Sequence, residues 1–97
     1  MQRLDEKQLS DALTRLPQWK LEDGRLVRDW TFKDFVAAIA FVNAVAPMAE
    51  AAGHHPDIEI HYNRVRLGLV THDSNGITAK DVEMAEKFDQ NLGLFPN

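Results

Sequence analysis

The chain predicts an α+β protein in the order helix, two strands, helix, two strands, helix. Three observations carry that expectation. Asp23-Gly24 lies between two strand-like stretches, and glycine tolerates the positive φ that a tight hairpin turn demands. Ile58, Ile60 and Tyr62 alternate with Glu59, His61 and Asn63, and after an Asn63-Arg64 turn come Val65, Leu67 and Leu69. That period of two marks half-buried strands. Apolar residues at helical spacing fill the stretches before, between and after the two hairpins. Hairpin-linked antiparallel strands with helices layered on one face make the α+β architecture.

Leu9, Leu13 and Leu16, at i, i+4 and i+7, form one helical stripe. Pro17 ends it, because proline disfavours the α conformation of the residue before it. Trp19-Lys20-Leu21-Glu22 reads as a strand and Arg25 to Phe32 as its return. A second helix is expected from Lys33, and between Phe35 and Ala46 only Asn43 is polar. A helix apolar nearly all round is buried on more than one side. A chain this short covers one side with its own sheet, so the other predicts self-association, with Phe41 or Val45 near a subunit contact. Pro47 lacks an amide hydrogen and clashes with the preceding turn. It is expected to kink or end the helix, although Met48 to Ala52 look helical again. Gly53 then breaks the helix just before His54. Beyond the second hairpin, Thr78-Ala79-Lys80-Asp81 has the form of a capping box. Val82, Ala85, Phe88 and Leu92 make the inner stripe of the last helix, and Gly93 caps it.

Ninety-seven residues suit one domain, spanning 1–97. A chain of this length buries only about 60–65% of the surface its unfolded form exposes, so its core is modest. There is no cysteine, which excludes disulfides, thiolate nucleophiles and cysteine–zinc sites and fits a reducing compartment. Met1 to Lys7 lack the apolar stretch of a signal peptide. The longest apolar run, Phe35 to Val42 resuming as far as Ala46, is shorter than the roughly 20 residues that span a bilayer. The net charge of −4 argues against direct nucleic-acid binding through a basic surface. A soluble, cytoplasmic protein is expected.

The chemistry-bearing feature is His54-His55-Pro56 followed by Thr71-His72-Asp73. Histidine's unperturbed pKa, about 6.5, lets it exchange a proton near neutrality. Successive side chains of an extended segment alternate in direction, and Pro56 restrains His55 toward such a backbone. One of the pair can therefore face a pocket while the other lines its rim. His72 follows the strand that pairs with the one after His55, and a hairpin brings its outer ends together, so three imidazoles should converge. Such a group suits general acid–base catalysis. His61 falls on the outward parity with Glu59 and Asn63 and is expected in solvent. Three nearby histidines could instead hold zinc with one open position. Adjacent histidines are awkward ligands for a single ion, and Gly53 interrupts the helical spacing from Glu50 to His54, so no metal is expected.

Glu50-Ala51-Ala52-Gly53-His54-His55-Pro56, then Tyr62-Asn63, then Thr71-His72-Asp73-Ser74-Asn75-Gly76-Ile77-Thr78-Ala79-Lys80-Asp81, resemble the pterin-4a-carbinolamine dehydratase family. The likeness extends upstream through Trp19, the Trp30-Thr31-Phe32-Lys33-Asp34-Phe35 segment and the long helix. Pro47 and Gly53 depart from the family pattern. The resemblance implies an αββαββα fold with a four-stranded antiparallel sheet and helices on one face. It implies a hydro-lyase that dehydrates 4a-hydroxytetrahydropterin to quinonoid dihydropterin, recycling the cofactor of aromatic amino acid hydroxylases, with no metal or organic cofactor. By the same resemblance His54, His55 and His72 are catalytic, Glu50 and Asp81 support them, and Thr71, Ser74 and Pro56 meet the pterin substrate. It also implies a homo-oligomer, dimer or tetramer. The alternative is a protein-interaction role, since animal members also stabilise dimers of a homeodomain transcription factor. An assembly or folding factor on the same fold ranks below both, because the full histidine set is kept.

Overall fold

The computed structural model describes residues 1–95. The elements are α1 (Glu6–Arg15), β1 (Lys20–Glu22), β2 (Arg25–Thr31), α2 (Phe35–Ala52), β3 (Asp57–His61), β4 (Arg64–Leu69) and α3 (Ala79–Leu92), with a 3₁₀ turn at His72–Ser74. The four strands form one antiparallel sheet in the order β1-β2-β4-β3. Each hairpin thus contributes its second strand to the centre, and Leu26 lies opposite Leu69, Trp30 opposite Val65.

The core forms where one face of the sheet meets the helices. Leu26, Trp30, Val65, Leu67 and Leu69 from the central strands are buried with Ala38, Phe41, Val45 and Ala49 of α2 and Val82, Ala85, Phe88 and Leu92 of α3. Phe41 anchors the contact, with its ring 4.7 Å from Trp30 and 5.2 Å from Phe32. One charged residue sits on this face. Arg28 stacks over Trp30 at 4.2 Å and donates to Asp89 of α3 at 2.6 Å, which also accepts from the Trp19 indole at 2.8 Å. A guanidinium tolerates such a place because the ring face and the carboxylate replace water.

The opposite face carries charge. Arg25 pairs with Asp57 at 3.0 Å and Glu59 at 3.4 Å, and Arg66 pairs with Asp29 at 2.8 Å and with Glu22. Gly68 leaves room beneath the Arg25 guanidinium, which lies 2.6 Å from where a Cβ would stand.

The first hairpin turns at Asp23-Gly24 with both residues at positive φ, 53° and 74°. The second turns one residue earlier than its sequence suggests. His61 pairs with Arg64, so the turn is Tyr62-Asn63, with Tyr62 at φ 54° and 65% exposed. Strand parity ends where pairing ends, so Tyr62 does not share the inward face of the isoleucines. β3 is an edge strand, which leaves Ile60 half-buried and Ile58 40% exposed.

α2 differs from expectation in several ways. It starts two residues later than Lys33, at Phe35, with Asp34 as N-cap accepting from the Ala37 amide. It runs unbroken through Pro47 to Ala52. Proline deprives only the Asn43 carbonyl of an amide partner, and both residues are on the exposed side, where water can take that carbonyl. At 18 residues with a mean hydropathy of 1.7, α2 is long and apolar enough, by length and composition alone, to cross a membrane. The shorter apolar run read from sequence had stopped at Ala46. Core helices meet the same criterion, and α2 packs Ala38, Phe41, Val45 and Ala49 inward. Phe41 and Val45 are therefore fully buried within the chain and do not reach a subunit contact. Its outward side instead presents Phe35, Val36 and Ala40.

α1 is closed at its start by a capping box between Asp5 and Gln8, and its Leu9–Leu13–Leu16 stripe faces the core. Gly93 occupies the α3 C-cap in the right-handed rather than the left-handed conformation, and the chain tightens into a turn in which the Phe95 amide donates to Leu92.

Candidate active site

Three local devices deliver the histidines to one place. The first is the end of α2. Gly53 adopts φ 62°, its amide donating to the Glu50 carbonyl and the His54 amide to that of Ala49. This Schellman-type closure requires a left-handed residue, which glycine supplies without strain. It fixes the His54 backbone against the helix. The second device is the loop after β4. An antiparallel bridge between Thr71 and Gly76 closes the 3₁₀ turn that begins at His72, and Asn75 at φ 55° ends it. The third is the start of α3, where Thr78 caps the helix and Asp81 completes a capping box.

These segments enclose a cleft of about 270 Å³ lined by His54, His55, Thr71, His72, Asp73 and Lys80, with Gly53 and Val70. A larger cavity of about 470 Å³ lies behind the loop, between Arg3, Leu4, Leu21 and Asn75. It contains no histidine or carboxylate, so the smaller cleft is the one equipped for proton transfer.

The two adjacent imidazoles point differently, as alternation predicts. The His54 side chain is 12% exposed and its Nε2 lies 2.6 Å from Oδ1 of Asp81, which is fully buried. The His55 side chain is 60% exposed and its Nε2 lies 2.5 Å from Oε1 of Glu50. Glu50 therefore serves His55 rather than His54, because Gly53 has already turned the chain. His72 stands exposed across the cleft. Asp81 divides its oxygens. Oδ1 meets His54, while Oδ2 accepts from the Thr78 amide at 2.9 Å and the Thr71 hydroxyl at 2.8 Å.

The remaining predicted residues sit less directly. Thr71 lines the cleft, but its hydroxyl is engaged by Asp81 and Thr78. The Ser74 hydroxyl donates to the Met1 carbonyl, and neither Ser74 nor Pro56 lines the cleft. His61 lies exposed on the charged face of the sheet near Asp29, Glu59 and Arg64. Among the described residues, no three His, Asp or Glu side chains form a group suited to a metal ion. Lys80 and Thr78 were not foreseen at the site. Thr78 was legible only as a helix cap, and nothing in sequence tells which way the side chain of Lys80 turns.

An imidazole held by a buried carboxylate, beside two more that meet solvent, is equipment for moving protons. Fold and cleft together describe a small α+β protein with three imidazoles gathered at one cleft. Residues 2–91 match the family described as pterin 4 alpha carbinolamine dehydratase, and the chain belongs to that family of hydro-lyases. A Chloroflexus aurantiacus protein provisionally named pterin-4-alpha-carbinolamine dehydratase is 52% identical over 93 residues, covering 96% of this chain and all of the relative. One from Acidobacterium capsulatum with the same name is 53% identical over 89 residues, covering 92% of this chain and 97% of its own. The crystal structure of a transcriptional coactivator/pterin dehydratase from Brucella melitensis superposes with a TM-score of 0.83 at 41% identity, covering 91% of this chain and 96% of that one.

Proposed function

We propose that the protein dehydrates 4a-hydroxytetrahydropterin to quinonoid dihydropterin and water by histidine acid–base catalysis, recycling the cofactor of pterin-dependent aromatic amino acid hydroxylases in the cytoplasm. The observation that carries this reading is the convergence of His54, His55 and His72 on one cleft, with carboxylates on two of them. The substrate bears a hydroxyl at C4a and a proton on N5. A neutral imidazole takes the N5 proton, the electrons of that bond form C4a=N5, and the C4a–O bond breaks. The departing oxygen collects a proton from an imidazolium and leaves as water. One histidine gains a proton and another loses one, so the enzyme returns to its starting charge after a single proton exchange between them or with solvent. Positioned groups of this kind contribute about 10²–10⁴-fold, and no metal or organic cofactor is required.

Glu50 and Asp81 orient the rings of His55 and His54 by hydrogen-bonding them. Thr71 meets the pterin through its methyl group and backbone, since its hydroxyl is occupied. Ser74 shapes the loop that carries His72, and Pro56 sets the backbone of His55. The working form is a homo-oligomer, dimer or tetramer, joined through the outward apolar side of α2. The coactivator term in the Brucella melitensis title supports a second reading, in which that same apolar side docks a protein partner.

The test is stopped-flow absorbance on enzymatically generated 4a-hydroxytetrahydropterin. His54→Ala and His72→Ala should each lower the dehydration rate at least about 10²-fold while the fold persists by circular dichroism. Wild-type rates in both variants would overturn the assignment.

A further inference from the structure

The hydrogen bonds behind His54 run in one direction. Asp81 is a carboxylate with donors on both oxygens, and an ionised carboxylate only accepts. The Thr71 hydroxyl, 2.8 Å from Oδ2, must therefore spend its single proton on Asp81. Thr71 and Thr78 hydroxyls lie 2.8 Å apart. With the Thr71 proton already committed, Thr78 is the donor in that contact. The Thr78 oxygen in turn accepts from the Lys80 amide at 3.3 Å. On the other side of the carboxylate the same rule makes His54 Nε2 the donor to Oδ1 at 2.6 Å. Thr78 and Asp81 are both fully buried, so water does not compete for these positions.

We propose that Thr78 and Thr71 are positioning residues whose hydroxyls form a one-way donor chain onto Asp81, fixing neutral His54 with Nε2 protonated and Nδ1 unprotonated. This rests on the dehydratase reading above and deepens it: the chain holds one of the three cleft imidazoles in a single tautomer and orientation for the reaction. The chain works by geometry. An Asp81 held by both Thr71 and the helix amide cannot swing away from His54, so the ring keeps one tautomer and one orientation through turnover. Preorganisation of this kind acts on the chemical step more than on binding.

The experiment uses the full chain. In uniformly ¹⁵N-labelled wild type at a pH where the imidazoles are neutral, long-range ¹H–¹⁵N spectra should show His54 Nε2 in the protonated range and Nδ1 in the unprotonated range. A protonated Nδ1 in neutral His54 would overturn the proposal. Thr71→Val keeps the methyl contact with the pterin and leaves the Thr78 cap intact. It should lower kcat by about 10- to 100-fold, the loss expected from misplacing a reacting group. KM should stay within about threefold, the uniform-binding part being untouched, and the His54 nitrogens should move toward a tautomer mixture. Thr71→Ser should restore rate and spectrum. Wild-type kcat in Thr71→Val, or a Thr71→Ser as impaired as the valine variant, would show that the hydroxyl does not matter. Loss of melting temperature with unchanged His54 nitrogens and kcat would make the chain a stabilising feature only. Should wild type fail to dehydrate the pterin at all, the functional reading falls while the nitrogen shifts still decide the donor chain.

Discussion

Asp29 and Arg66 lie on the charged face of the sheet, far from the histidines in role, and they set part of the acid sensitivity of the fold. The Arg66 guanidinium, hydrogen-bonded to Asp29, holds that carboxyl below its ordinary value of 3.8 against a smaller opposing effect of burial. The folded state thus binds this proton less readily than the unfolded chain. The pair's contribution is present above the ordinary carboxylate range and is lost as pH falls through the depressed folded value. Because both side chains are partly exposed, solvent screens the pair and its contribution is small. Asp29→Asn should lower stability slightly at neutral pH and leave it unchanged at the acid end. Urea midpoints measured across the acid range check this, and equal losses at both ends would refute it. His61 is the contrasting residue. It is exposed beside Arg64 and Glu59, on the face away from the cleft. His61→Ala should leave turnover within about threefold and stability within about 0.5 kcal/mol, as surface changes do. A large loss of activity would mean that this face takes part in the reaction.

At the scale of elements, the decisive feature is how each one ends. α2 ends on Gly53 in the left-handed conformation, with nothing within 4 Å of a would-be Cβ. Gly53→Ala therefore meets no clash, only the backbone cost of positive φ, about 1 kcal/mol. The substitution should lower the melting temperature modestly and lower kcat more than its stability cost suggests, because the same turn holds the His54 amide. Thermal unfolding and stopped-flow turnover on one preparation separate the two effects. Unchanged turnover with lowered stability would show that His54 tolerates a looser helix end. α3 begins on a capping box whose acid serves twice, one oxygen for the helix and one for His54. The box was readable from Thr78 to Asp81, since its spacing is local. The second use of Asp81 was implied only by the family resemblance and not by local spacing, because His54 lies 27 residues away in sequence and only the packing of α2 against α3 brings it near.

At the scale of the molecule, α2 leaves an apolar side uncovered. Phe35, Val36, Ile39 and Ala40 line a shallow apolar depression with Asn43, and Val36 is 75% exposed. Val36→Glu should leave the monomer folded while disfavouring any assembly that buries this side, since an unpaired buried charge is costly. Sedimentation equilibrium at micromolar concentration should give a wild-type mass that is a multiple of 11.0 kDa and a smaller mass for the variant. A wild type of single-chain mass would remove the oligomer from the proposal. A charge at Val45 would not make this test, because Val45 belongs to the chain's own core. The sequence by itself determined the order of elements, the Asp23-Gly24 turn, the inward residues of β4 and α3, and the family. Each is written in local spacing or in a motif, so neighbours along the chain suffice to specify it. Only the tertiary structure decided that the hairpins join through β2 and β4, that α2 passes through Pro47, and which carboxylate holds which histidine. Those outcomes depend on side chains distant in sequence meeting in a shared core. The same apolar stripe, proline or acid can be satisfied in more than one way until that core selects one.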